Sequence, residues 1–403
     1  MAVRLLAAHQ SALSRLYRQR ASMSTRDFVP GAELARLDQR LIGHIHACAQ
    51  AAEPLPDDIP GDPAEAFAAA SAALRNDTRA AMEWLAPALE EAEGDQCQGL
   101  VEAVALTTPP FGWCRVLSAY HRYPGARTPL LDAFYLAAAR VPDALLNEAL
   151  ESPEQQAAAL RCASIQHNWP AARFRPRYRS DLTDPATLPA LRAGLLRDDP
   201  EAADALLSLL DGAIPLEATT DALRLNALLC PDHLSDVVWR AADETPETGL
   251  WLLALSGRRD AAERILQALR DARAPESAAA AWRWLTAQAL PLRDRLQVVN
   301  DPGRAAAGGP VPDAAVARQW WDANAPGWDP AGRRILDGPA DPERVATLAT
   351  RWAGRAGDAL MDLAALRERS QYVTGGWFHR RGEPGPVLPE SQEEEVADAA
   401  VGQ

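Results

Sequence analysis

Aromatic residues are scarce in this 403-residue chain, at 6%, and it has no long valine- and isoleucine-rich runs of the kind that form buried β-strands. Alanine and leucine, two strong helix formers, supply much of the 48% apolar content. The chain also contains no stretch of 18 apolar residues and no secretory hydrophobic region. The sequence therefore predicts an all-α protein without membrane helices or an export signal, located in the cytoplasm.

The five cysteines are few, odd in number and never spaced as CxxC pairs. This pattern argues against a disulfide framework and a cysteine zinc site, and it favours reduced thiols in the cytoplasm. The two close histidines, His44 and His46, would point about 200° apart on a helix, so they do not suit one metal ion. We therefore expect no metal and no cofactor.

Positive charge is also low. The chain has 41 basic residues against 55 acidic ones, which gives a formal net charge of −14. Proteins that bind nucleic acid or anionic membranes broadly use a basic surface, so we expect neither kind of partner. The acidic balance favours solubility and association with a basic partner.

Catalytic sequence motifs are absent. The chain has no GxSxG, no P-loop, no HExxH and no GxGxxG that opens a helix after a strand. Cys114 and His121 lie two helical turns apart without a third group to orient the histidine, so core packing explains them better than catalysis. The prediction is that the protein is not an enzyme.

The N-terminal residues 1–52 predict a helical hairpin. Apolar residues recur at three- and four-residue steps on both sides of a break at Phe28–Gly31. The stretch Glu53–Pro63 that follows contains four prolines and predicts a linker.

One pattern recurs over residues 62–299: an apolar-periodic segment ends at Pro, Gly, Asn or Asp, and another begins. Many segments open with a capping residue and a proline, as at Asp62-Pro63, Asp199-Pro200 and Thr245-Pro246, and the same opening recurs further on at Asp341-Pro342. Two helices per unit of about 30 to 40 residues is typical of an α-solenoid of degenerate HEAT-like helix pairs, in which neighbouring units complete each other's core. A globular helical bundle is the alternative architecture.

The C-terminal part predicts two further regions. A break rich in Gly, Pro and Ala at Asn300–Pro312 precedes a tryptophan-rich helical module, predicted at 313–378. Residues 381–403 contain prolines and a run of three glutamates, and they predict a disordered acidic tail.

The adjacent Trp320 and Trp321 of the predicted module are candidates for a partner-binding aromatic surface, because tryptophan is enriched in protein-binding hot spots. Trp282 and Trp284 raise the same question. Packing between helical repeats is the more common role of such residues.

The clearest local feature is an alternating segment of arginines and rings. It consists of Arg173, Phe174, Arg175, Pro176, Arg177, Tyr178 and Arg179. Because proline interrupts a helix, we expect an extended segment with the arginines on one side and the two rings on the other. The rings would pin the segment to the protein, and the arginines would meet an acidic surface of a protein partner. The alternatives are a phosphate or nucleic-acid contact and an exposed loop whose arginines pair with this protein's own carboxylates.

Segments near both ends carry a family resemblance. They are Leu16–Arg20, Leu37–His44, Trp320-Trp321, Gly332–Gly338, the helix through Trp352, and Leu363–Tyr372. With these segments the chain resembles an uncharacterised bacterial family of HEAT-like repeat proteins, whose members often lie in gene clusters of type VI secretion spike and effector proteins. The resemblance covers nearly the whole chain. It implies an accessory, adaptor or chaperone role and assigns no catalytic residues.

These observations predict a protein-binding scaffold, adaptor or chaperone, acting as an accessory of a type VI secretion effector or spike component. A nucleic-acid-binding HEAT-like protein of the DNA-repair type is one alternative, favoured by the arginine segment and opposed by the acidic charge. A HEAT-like lyase is another, and it would require a cleft with convergent polar groups.

Overall fold

The structure is a computed structural model. It describes residues 2–51, 56, 58–166, 168–211, 216–271, 273–294, 309–330, 332–368 and 385–389. Within these ranges α-helices dominate, and the β-structure is limited to short pairs of two-residue strands and one isolated bridge. The predicted all-α class is confirmed.

The helices follow one another along the whole described chain. They are α1 (Ala2–Ser24), α2 (Gly31–Gln50), α3 (Pro63–Asn76), α4 (Thr78–Glu91), α5 (Gly94–Thr107), α6 (Trp113–Arg122), α7 (Arg127–Leu136), α8 (Asp143–Glu151), α9 (Gln156–Ser164), α10 (Thr187–Leu195), α11 (Pro200–Leu210), α12 (Leu216–Leu229), α13 (Asp236–Glu244), α14 (Pro246–Leu255), α15 (Arg259–Ala268), α16 (Pro275–Thr286), α17 (Ala314–Asn324), α18 (Pro342–Ala349) and α19 (Gly354–Glu368).

The strands form three antiparallel pairs. They are β1 (Val29–Pro30) with β6 (Trp352–Ala353), β2 (Leu292–Arg293) with β3 (Val311–Pro312), and β4 (Arg334–Ile335) with β5 (Gly338–Pro339).

The chain divides into two compact units. The first comprises residues 1–180, 184–199 and 346–403, and the second comprises residues 181–183 and 200–345.

The first unit is a stack of helix pairs. Every second helix packs on the next in a row, from α1 to α3, α5, α7 and α9, and α10 then packs on α9. The helices α4, α6 and α8 pack on α3, α7 and α9 respectively, alongside the row. This repeat-like packing is the arrangement that the predicted α-solenoid requires.

The second unit repeats the scheme on a smaller scale. Helices α12, α14 and α16 pack in a row, and α11, α13 and α15 pack alongside them. Here too each helix buries its apolar face against neighbouring pairs.

Capping residues explain several of the helix starts. Asp62 accepts hydrogen bonds from the backbone N–H groups of Ala64 and Glu65, both at 3.0 Å, as the Asp-Pro pattern predicts. Asp341 accepts one from Arg344 N at 2.9 Å. Thr245 differs, because its hydroxyl donates backwards to the carbonyl of Ala241 and does not cap α14.

The predicted boundary at residue 313 is not where the two units divide. Residues 313–345 belong to the second unit, and 346–368 belong to the first. Trp321 and Trp328 pack against each other, and Trp321 also packs against Trp282 of α16, which joins the start of the predicted module to the preceding helices.

Five residues of the predicted tail 381–403 are described, namely 385–389. Arg140 N donates to Pro386 O at 2.8 Å, and Leu388 N donates to Arg140 O at 3.0 Å. Leu388 is buried at 2% exposure. For these five residues the prediction of disorder is wrong, because Leu388 is an apolar anchor within a polar stretch. The other residues of the predicted tail lie outside the described residues.

Candidate protein-binding surface

The arginine segment, residues 173–179, is not extended as predicted. It forms two consecutive 3-10 turns, Ala171–Arg173 and Arg175–Arg177, and the linking Phe174 also has helical backbone angles. Pro176 lies in the first turn of the second 3-10 segment, where its fixed φ is compatible and its missing N–H is not needed.

The two rings of the segment are anchors. Phe174 links the two turns and Tyr178 follows the second. They are buried at 0% and 2% exposure. The predicted pinning of the segment by its rings is therefore present, although the backbone that achieves it differs.

Asp199 binds two side chains of the segment through hydrogen bonds. Its buried carboxylate accepts two hydrogen bonds from the Arg175 guanidinium, at 3.0 and 3.1 Å, and one from the Tyr178 hydroxyl at 3.1 Å. Burial raises the pKa of Tyr178, and the neighbouring Asp199 carboxylate raises it further, so the phenol stays protonated and donates. Arg175 therefore has a structural partner within this protein, as the third interpretation of the segment anticipated.

Arg197 fixes the loop that precedes the segment. Its guanidinium donates to five backbone carbonyls, those of Ala163, Ser164, Gln166, Trp169 and Ala193, at 2.6 to 3.1 Å. Three of these carbonyls lie at or just beyond the C-terminal end of α9, where the regular hydrogen bond from the residue four positions ahead is missing. Burial lowers the pKa of Arg197 to about 10, so the group remains charged at neutral pH.

Trp169 and Arg173 secure the start of the segment. The buried indole of Trp169 donates to Asp143 at 2.8 Å. The Arg173 guanidinium stacks over the same indole at 4.5 Å and donates to Asn147 at 3.0 Å.

Arg177 and Arg179 are the arginines that remain for a partner. Arg179 is exposed and Arg177 is half-buried. Within the described part of the chain, neither side chain forms a hydrogen bond or an ion pair. The segment therefore displays two cationic groups on a backbone held by Phe174 and Tyr178.

Trp320 and Trp321 are mainly packing residues. Trp321 is buried at 6% exposure and contacts Trp282 and Trp328. Trp320 is half-buried and meets the Trp282 ring edge-on, with centroids 5.6 Å apart. The predicted partner role of Trp321 is thus corrected to a core role, since its ring is covered by this protein's own tryptophans.

Residues 333–339 form a hairpin that we call the clasp, and its contacts give the Gly332–Gly338 segment of the sequence a structural role. Arg333 donates to Leu228 O at 2.7 Å and to Leu255 O at 2.6 Å. These two carbonyls lie at the C-terminal ends of α12 and α14. The backbone N–H groups of Leu336 and Asp337 donate to the carbonyls of Trp284 and Leu285 near the end of α16. One hairpin thus caps three successive row helices of the second unit.

The side chains considered for catalysis or metal binding are not assembled into a site. Cys114 Sγ donates to Phe111 O at 3.2 Å, and His121 meets the Tyr120 ring edge-on. Within the described residues, no group of three or more His, Cys, Asp or Glu is placed to hold a metal ion. Helices long and apolar enough to cross a bilayer are likewise absent from the described ranges.

The residues that sequence reasoning missed lie far from the arginine segment in the chain. Asp199 follows Arg175 by 24 positions, and Arg197 follows Trp169 by 28. Asp199 carried one signal, since it precedes Pro200 as a capping residue, but that pattern does not identify its partner.

Comparison with protein-family profiles, with curated proteins and with solved structures finds no match to this chain.

Proposed function

We propose that the protein is a helical-repeat scaffold that binds an acidic surface of a partner protein through Arg177 and Arg179. The observation that carries this proposal is the position of these two side chains on a segment anchored by buried rings. Binding loses less conformational entropy when the contact segment is already ordered, and the buried Phe174 and Tyr178 provide that order.

The type of cation supports a protein partner. All 41 basic residues of the chain are arginine, and it contains no lysine. The planar guanidinium binds a carboxylate through two parallel hydrogen bonds, as Arg175 does with Asp199. The net charge of −14 opposes an extended polyanion such as nucleic acid, which favours a local acidic patch on a protein.

We further propose that the scaffold acts in the cytoplasm as an adaptor or chaperone for a type VI secretion effector or spike component. The family resemblance of the two chain ends supports this role, and so does the stacking of helix pairs, which is typical of proteins that bind extended partners.

The test is comparative capture from the native host. Wild-type protein, Arg177→Glu/Arg179→Glu and the charge-matched Arg270→Glu/Arg318→Glu serve as baits at low salt, and mass spectrometry quantifies what each retains. Arg270 and Arg318 are exposed residues of the second unit. We expect a protein with an acidic surface that the first variant loses and the control retains.

Two results would contradict the proposal. One is equal retention of every protein by the three baits. The other is salt-sensitive capture of DNA or RNA that the first variant loses, which would assign the surface to nucleic acid.

A further inference from the structure

Positive charge is concentrated in the N-terminal hairpin formed by α1 and α2. Residues 1–50 contain seven arginines and three carboxylates, in a chain whose net charge is −14. They also contain three of the seven histidines. The hairpin is therefore a cationic element of an acidic protein.

A buried ion pair fixes the two helices of the hairpin. Arg20 Nε donates to Asp38 Oδ1 at 2.9 Å, and the side chains are 8% and 0% exposed. The carboxylate thereby neutralises the buried Arg20. Exposed arginines of the hairpin carry its surface charge.

A groove of about 350 Å³ lies between the end of α1 and the start of α2. Buried Met23 and Leu37 lie within its lining, and exposed Arg26, Arg36 and Arg40 surround them. Glu33 is the single carboxylate in the lining. The groove thus combines an apolar floor with a cationic rim.

Two histidines, His9 and His44, lie beyond the groove on the same hairpin. Arg36, Arg40 and His44 follow one another at four-residue steps on α2, so they line one face at intervals of about 6 Å. His44 Nδ1 lies 2.8 Å from His9 Nδ1 of α1, so the two nitrogens share one hydrogen bond. The charged groups that face His44 are His9 and Arg15 from α1 and Arg40 from α2 itself.

We propose that this groove is a second binding surface, and that its occupant is an acidic amphipathic helix of a partner protein. A helix with Glu at every fourth position repeats its carboxylates at the same interval of about 6 Å, and an apolar residue between them would meet Met23 and Leu37. Charge complementarity within an acidic protein supports this occupant. The apolar floor and Glu33 favour it over nucleic acid, which presents phosphates along its whole length.

The histidine pair should make the affinity of this surface depend on pH. Burial lowers the pKa of His44, and the nearby His9, Arg40 and Arg15 lower it further. A bound carboxylate opposes the repulsion from Arg40 and Arg15, so binding favours the protonated form of His44. Affinity for an acidic helix should therefore increase as the pH falls through the histidine range.

The experiment uses a fluorescently labelled, helix-forming peptide with Glu at three successive fourth positions and Leu between them. Its affinity for the full-length protein is measured by fluorescence anisotropy from about pH 8 to about pH 6. We expect saturable binding that weakens with salt and tightens as the pH falls. The affinity should be about tenfold lower, or lower still, in Arg36→Glu/Arg40→Glu. In a control peptide, Gln replaces each Glu. Its affinity should be the same for the wild type and for Arg36→Glu/Arg40→Glu.

The controls separate this inference from the proposed function. Arg177→Glu/Arg179→Glu carries the same charge change elsewhere and should bind the peptide like the wild type, whatever its effect on partner capture. His44→Gln should bind the peptide at about pH 8 but lose most of the pH dependence. Equal losses in both Glu variants, or no saturable binding, would overturn the inference. Preferential binding of single-stranded DNA at Arg36 and Arg40 would assign the groove to a different occupant. So would salt-sensitive self-association that is lost in Arg36→Glu/Arg40→Glu.

Discussion

The buried carboxylate of Asp199 meets the guanidinium of Arg175 through two hydrogen bonds, at 3.0 and 3.1 Å. This pair joins the arginine segment to the residue that precedes α11, within the same compact unit. The segment's arginines therefore differ in role: Arg173 and Arg175 bind Asn147 and Asp199, whereas Arg177 and Arg179 form no hydrogen bond or ion pair within the described residues.

Replacing Arg175 should lower the local stability of the arginine segment, whereas replacing Arg177 should not. Arg175→Ala removes both guanidinium hydrogen bonds from the buried Asp199 carboxylate, and we expect a loss of about 2–3 kcal/mol in local stability. Arg177→Ala removes a half-buried cation that forms no ion pair within the described residues, and it should change stability by less than about 1 kcal/mol. Hydrogen exchange of the backbone amides of 171–199 measures both. Similar exchange in the two variants would contradict the assigned roles.

Arg197 should not be replaceable by lysine. A lysine has three donors and no planar fork, so it cannot reach five carbonyls in different directions. We expect Arg197→Lys to lose about 3 kcal/mol or more, nearly as much as Arg197→Met, in urea denaturation followed by circular dichroism. A lysine variant as stable as the wild type would show that charge alone matters there.

Gly257 is required by the clasp of the second unit. Its φ is +69°, and an added Cβ would lie 2.5 Å from Arg333 Cγ. Gly257→Ala should therefore destabilise the second unit by about 1–3 kcal/mol, because it combines backbone strain with a steric clash. Gly327→Ala, where nothing lies within 4 Å of the added Cβ, is the matched control. Equal melting temperatures for the two variants would argue against the clasp.

Mild acid should destabilise the N-terminal hairpin through His44. The folded state lowers the pKa of His44 below its ordinary value of 6.5, so the unfolded chain takes up a proton first as the pH falls. The contribution of His44 to stability is then complete above that value and declines between it and the lower folded pKa. His44→Gln should reduce the loss of melting temperature between about pH 7.5 and about pH 5.5, whereas His121→Gln should not.

Local features of the fold were predictable from the sequence, and long-range partners were not. Apolar periodicity and the Asp62-Pro63 pattern act over a few residues, and they located α3 and most other helices. The ion pair between Arg192 and Asp362 joins residues 170 positions apart at 2.9 Å, and no local pattern indicates it.

The arginine segment shows the same limit at the candidate site. Its alternating pattern correctly indicated that Phe174 and Tyr178 are anchors. It wrongly indicated an extended backbone, because the buried Asp199 and the compatibility of Pro176 with a 3-10 turn determine the conformation instead. A partner role for Arg175 followed from that error, since a strand would have placed all four arginines on one side.

The most direct test of the scaffold's binding function is the dissociation constant for a captured partner, measured against salt concentration. The proteins compared are the wild type, Arg177→Glu/Arg179→Glu and Arg270→Glu/Arg318→Glu. We expect Arg177→Glu/Arg179→Glu to weaken binding by more than about tenfold at low salt, the difference to shrink as salt screens the charges, and the control to match the wild type. Equal dissociation constants for the wild type and the Arg177→Glu/Arg179→Glu variant at every salt concentration would contradict it.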